Sequence, residues 1–160
     1  MDTIDFGDVS LRLLAAVAIG MALGLNRDLQ GKPTGMRTLG LVSLGAAVVT
    51  LGLTHEAHIA FDNNAYSRVL QGVVQGVLTG IGFLGGGVIL RSESQDRVRN
   101  ITTAATVWVT AALGTTCAVS DWRILGIGFV LALLLLLFGR RGEKWVERRI
   151  GVVLPSDDEG

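Results

Sequence analysis

An all-α, polytopic transmembrane helix bundle of about five spans is predicted by three features of the sequence. Of the 160 residues, 49% are hydrophobic and only 18% are charged. The apolar residues gather into five runs, at 9–25, 38–54, 69–90, 101–120 and 122–138, each within the roughly 17–25 residues that cross a hydrocarbon core at about 1.5 Å per residue. The 22 glycines are about twice the usual share of ~7%, as expected where helices approach closely without a hydrophobic drive between them. No hydrophilic stretch is long enough for a second domain, so residues 1–138 are expected to form one bundle and 139–160 a short basic cytoplasmic tail. The formal charge of zero gives no support for nucleic-acid binding.

Asp2, Asp5 and Asp8 precede the first run. A signal peptide would begin with positive charge and end in a small-residue cleavage site, so 9–25 reads as a retained helix. Its Gly20 and Gly24 form a GxxxG pair that Ala16 continues one turn earlier. The three aspartates read as an acidic solvated terminus, since nothing nearby completes a cation shell. A polar loop follows, Asn26 to Arg37, punctuated by Gly31, Pro33 and Gly35. The second run, 38–54, offers Ser43, Gly45, Ala46 and Ala47 for helix contact. Residues 55–67 are then expected as a loop in which His55, Glu56 and His58 resemble a fragment of a metal site but lack the further protein ligand one requires.

The third run carries a glycine ridge, Gly72, Gly76 and Gly80, and beside it a polar ridge, Gln71, Gln75 and Thr79. An unpaired amide in hydrocarbon costs several kcal/mol, so the polar ridge should face protein or water. Beyond the loop 91–100, Thr102, Thr106, Thr110 and Gly114 form a matching small ridge. Runs three and four are therefore expected to pack together in the interior, with Gly76 at a close contact with run four or with the same run of a second copy. Run five has no polar side chain in VLALLLLLF and is expected to face lipid. After it, Arg140, Arg141, Lys144, Arg148 and Arg149 alternate with Trp145, Val146 and Ile150, which suggests a short amphipathic segment on anionic lipid.

Loops one and three and the C-terminal segment hold 11 of the 14 basic residues. The positive-inside rule then puts the N-terminus in the periplasm and the C-terminus in the cytoplasm, and five spans satisfy that alternation at every loop.

Chemistry-bearing motifs are few. Gly80 to Gly85 matches GxGxxG, but it lies inside an apolar run with no βαβ context, so no dinucleotide site is expected. No Walker A, HExxH, GxSxG or paired-carboxylate pattern occurs, and no enzyme, cofactor or metal site is expected. Cys117 is the single cysteine, which excludes an intrachain disulfide and reads as packing. None of the five runs contains Asp or Glu, the usual mark of a proton or cation path. The threonines and glutamines would tie helices together or line a weak path between runs three and four. Gly85, Gly86 and Gly87 would be the place for a helix break.

The segments GLNRDLQGKPTGMRTLGLVSLGAAVVTL, LTGIGFLGGGVIL and VRNITTAATVWVTAALG, with Cys117 after them, resemble the MgtC/SapB family of bacterial inner-membrane proteins, from about Gly20 to Cys117. The resemblance implies a non-enzymatic regulator linked to growth at low Mg²⁺ and to survival inside macrophages. Such a regulator would act through membrane partners, with F-type ATP synthase as the target, in place of an older reading as a Mg²⁺ transporter. The sequence departs from the family pattern at Asn26 and Asp28, where Glu is usual, at Leu39, where His is frequent, and in lacking the soluble C-terminal domain of longer members. The residues carried over are Arg27, Asp28, Gly35, Arg37 and Thr38 in the first motif, and Gly80, Gly82, Phe83, Gly85, Gly87, Thr103, Ala104, Ala105 and Trp108 in the second. They are expected to dock the first loop's arginines on the third loop near Asp96 and to let spans pack closely. The expected partners are the lipid bilayer, other membrane proteins and a second copy of the chain; the alternative function is a carrier of Mg²⁺, H⁺ or a small solute.

Overall fold

A computed structural model describes residues 5–32, 34–60, 63–90 and 100–150. They form five helices: α1 (Phe6–Asp28), α2 (Met36–Ala60), α3 (Asn63–Leu90), α4 (Ile101–Val119) and α5 (Trp122–Ile150). Each is long and apolar enough to cross a membrane. The loop at 91–99, with Asp96, and the last ten residues lie outside the described part.

The helix ends follow from local chemistry. Asp5 caps α1 by accepting from the Gly7 N–H at 3.0 Å. Gly31, at φ 65°, closes the other end of α1. Its N–H donates to the Asp28 carbonyl and the Lys32 N–H to the Arg27 carbonyl, both at 3.0 Å, the paired bonds of a Schellman turn. Asp121 accepts from the Arg123 N–H at 2.7 Å and starts α5. Helices α2 and α3 run past their apolar segments, so 55–60 and 64–67, expected as loop, are helical. The glycine cluster Gly85 to Gly87 does not break α3, and the basic segment after residue 139 continues α5 without interruption.

Helix α4 is the hub. It packs against all four others, and 56% of its span is buried, compared with 22% for α1 and 33% for α2. The core lies between α1, α2 and α4, where Ala16, Leu23, Leu39, Ala47, Val107 and Cys117 meet. Small residues set those spacings. A Cβ on Gly20 would fall on the Leu39 carbonyl, one on Gly24 on the Met36 backbone, and one on Gly114 on the Ser43 carbonyl. Backbones therefore nearly touch along α1–α2 and α2–α4, the geometry that small residues permit in lipid.

Helix α3 differs from its expected interior position. It touches α2 and α4, but only 6% of its span is buried, the same share as α5. Nothing lies within 4 Å of a Cβ added at Gly72, Gly76 or Gly80, so the ridge does not pack on α4. The reason is geometric: α4 buries the face bearing Thr103, Thr106, Thr110 and Gly114, and at Gly114 it meets the Ser43 backbone of α2 more closely than α3 meets α4 at Gly85 and Ala104. The exposure of the α5 span matches the lack of polar side chains in VLALLLLLF.

Candidate functional site

Two places combine polar chemistry with an apolar setting. One is at the end of the bundle where α1 turns into α2; the other is the outer face of α3.

At the α1–α2 turn the Schellman closure sends two consecutive side chains opposite ways. Arg27 points inward and is 1% exposed, the largest side chain buried completely. Its Nη2 donates to Thr103 Oγ1 at 2.5 Å and its Nη1 to Thr106 Oγ1 at 3.4 Å, both on the first turns of α4. Thr106 in turn donates to the Thr102 carbonyl at 2.7 Å, so one hydroxyl serves both the guanidinium and its own helix. A buried charge is tolerated only where hydrogen-bond partners replace its water, and hydroxyls fixed on α4 supply them.

Asp28 points outward and accepts from the Met36 N–H at 2.9 Å, capping the first turn of α2. Gly35 makes this possible, because a Cβ there would collide with the Asp28 carboxylate. Thr34, at φ 64°, turns the chain in front of it. Arg37 and Thr38 are exposed, so of the two loop arginines only Arg27 docks. It docks on Thr103 and Thr106 of α4; Asp96, the expected partner on the third loop, lies outside the described residues.

The second motif divides. Gly85 is buried with the Ala104 Cβ at packing distance, 3.5 Å from an added Cβ, and Thr103 is buried under Arg27. Gly80, Gly82 and Gly87 face open space. Phe83 is 85% exposed and Trp108 46%. Ala104 is half-buried and Ala105 exposed. The polar ridge, Gln71, Gln75 and Thr79, lies on the outer face of α3, where it lines a shallow groove with Leu70 and Leu78. A second cleft, of about 560 Å³, opens between α2 and α3 over Gly72 and Gly76. The ridge therefore packs on no other helix of the described chain.

Four further interior hydroxyls are committed to their own helices. Thr50, Thr54, Thr110 and Thr115 each donate to the carbonyl four residues back, at 2.6–3.1 Å. Ser43 Oγ is the buried side-chain polar atom without a partner among the described residues. At the far end of the bundle Arg12 joins three helices. It pairs with Asp8 at 2.8 Å, donates to the Cys117 carbonyl at 2.9 Å and lies 5.4 Å from the centre of the Trp122 ring. The signal for this contact in the sequence is the position of Arg12 one helical turn after Asp8. Among the described residues no cluster of His, Cys, Asp or Glu is arranged to hold a metal ion.

A model of the MgtC family matches residues 13–145, from α1 through the basic end of α5. The chain belongs to the MgtC family. It is 42% identical to protein SrpB of Synechococcus elongatus over 140 residues, 82% of this chain and 75% of that protein. It is 32% identical to protein SapB of Bacillus subtilis, covering 90% of this chain and 60% of that one. It is 35% identical to protein MgtC of Salmonella typhimurium over 113 residues, 71% of this chain but 44% of that protein. No solved structure matches. Five apolar helices and this membership make the chain a multi-pass membrane protein of the MgtC family.

Proposed function

We propose that this MgtC-family protein is a non-enzymatic regulator of the bacterial inner membrane, tied to Mg²⁺ limitation and intracellular survival, that works by contact with other membrane proteins through the outer face of α3. F-type ATP synthase is the partner that the family resemblance suggests. The observation that carries the reading is the partition of polar groups. Interior threonines are tied to carbonyls of their own helices, and Arg27 is held against α4, whereas Gln71 and Gln75 stand exposed on an apolar helix. A path for ions needs polar groups facing one another across a cavity, as intramembrane ionisable groups do in transporters. The α3–α4 seam, where the carrier reading put that path, includes the apolar contact of Gly85 with Ala104 instead. In liposomes loaded with a Mg²⁺ or pH reporter, the purified protein is expected to give no flux above empty vesicles. Protein-dependent flux of either ion would replace this reading with the carrier.

A further inference from the structure

The outer face of α3 has a chemical peculiarity that its position in the membrane sharpens. Its span runs from Tyr66 to Gly87, which puts Gln75 about 13 Å from the Tyr66 end at 1.5 Å per residue, near mid-membrane. Gln71 lies one turn nearer that end, and both side chains are exposed. Among the described residues no side chain reaches either amide. Neither can take a hydrogen bond from lipid, and water is scarce at that depth.

We infer that α3 pairs with α3 of a second copy of this chain, the Gln71 and Gln75 amides of one copy bonding those of the other. The inference deepens the reading of α3 as a contact face and commits that face to one occupant. Two features select a second copy. A carboxamide carries donors and an acceptor together, so two of them can exchange N–H···O bonds in both directions, each amide donating to the other. Copies of one chain also enter the membrane in one orientation, so a two-fold axis along the membrane normal brings each glutamine opposite its counterpart at equal depth. Any other partner would have to place a donor and an acceptor at two matching depths one turn apart. Shape agrees with this pairing. Leu70, Val74 and Leu78, four residues apart, form an apolar ridge beside the amides in the same groove, so a second helix seated there would meet both. Helix α5 offers no such group and leaves the bundle from another side, touching α4 and α1 but not α3.

The test is disulfide trapping of purified full-length protein in vesicles, in a Cys117→Ala background. Ser67→Cys sits on the α3 seam near its start; Ile127→Cys is an exposed position in the first turns of α5. Under mild oxidation Ser67→Cys is expected to form a covalent dimer and Ile127→Cys to stay monomeric. Adding Gln71→Leu and Gln75→Leu should weaken the Ser67→Cys dimer about tenfold or more in protein-to-lipid titration, the scale of one or two lost interhelical bonds. Thermal melting of the detergent monomer reads whether that variant still folds, and Gln71→Asn with Gln75→Asn, which keeps an amide, should retain most of the dimer. A monomeric Ser67→Cys protein overturns self-pairing, as does equal trapping at Ile127→Cys; the first leaves contact with other proteins standing, so the two readings fail separately. A dimer indifferent to loss of both amides removes the glutamines from the interface and overturns the inference as stated.

Discussion

Asp28 and Gly35 are coupled through space, and the coupling is measurable. The carboxylate caps α2 from across the turn, and the missing side chain of Gly35 is the room it occupies. Losing a cap of this kind typically costs about 1 kcal/mol. Asp28→Ala should therefore lower stability by about that amount. Gly35→Ala should cost more, about 1–3 kcal/mol, since it displaces the carboxylate and crowds the turn. Their combination should cost little beyond Asp28→Ala alone, because the colliding group is gone. Melting of the three variants in detergent checks this, and strict additivity would mean that the carboxylate does not occupy the space over Gly35. Arg27, next in the chain, faces the opposite way for the same reason: a Schellman closure fixes the rotation of the last helical turn, and successive side chains on a helix diverge by about 100°.

At the scale of elements, the glycines divide into those that set a helix contact and those that do not. Gly20, Gly24 and Gly114 stand where another backbone nearly touches; Gly72, Gly76 and Gly80 stand over open space. The sequence pattern is the same in both sets, small residues four apart. In monomeric, detergent-solubilised protein, Gly24→Leu should therefore lower the melting temperature strongly, by the equivalent of about 1–3 kcal/mol or more. Gly76→Leu should melt with the parent, the reverse of what the ridge alone leads one to expect. A collapse at Gly76→Leu in the monomer would mean that α3 lies deeper in the bundle than described. The exposed span of α5 tolerates substitution on the same argument, since lipid fills the space a lost side chain leaves.

For the whole molecule, the helix order places Arg27, Lys32 and Arg37 at one end of the bundle and Arg12 and Arg68 at the other. Positive charge concentrated at the α1–α2 turn predicts that this end faces the cytoplasm under the positive-inside rule. Single cysteines at Gln30 and Asn64, at opposite ends of α2 and both exposed, test this in a Cys117→Ala background. Asn64→Cys is expected to label from the periplasm, and Gln30→Cys only after the membrane is opened. Labelling of both from one side would remove the alternating arrangement, and exchange of the two sides would invert it.

The number and kind of elements were legible because they depend on local quantities. Run length against membrane thickness gave five helices, the stretch VLALLLLLF without a polar side chain gave an exposed α5, and the GxxxG pair of α1 was a true contact because α2 lies against it. The family motifs gave membership, and they pointed to Arg27 and Thr103 without showing that these two residues meet. What only the tertiary structure decided is which of several equally small or polar faces is turned inward. Helix α4 can bury one face against α1 and α2, and once its threonine ridge is spent there, α3 is left at the edge with its glycines and glutamines outward. Periodicity states that a face exists; the competition among helices for the closest contacts, a property of the whole bundle, states what it faces.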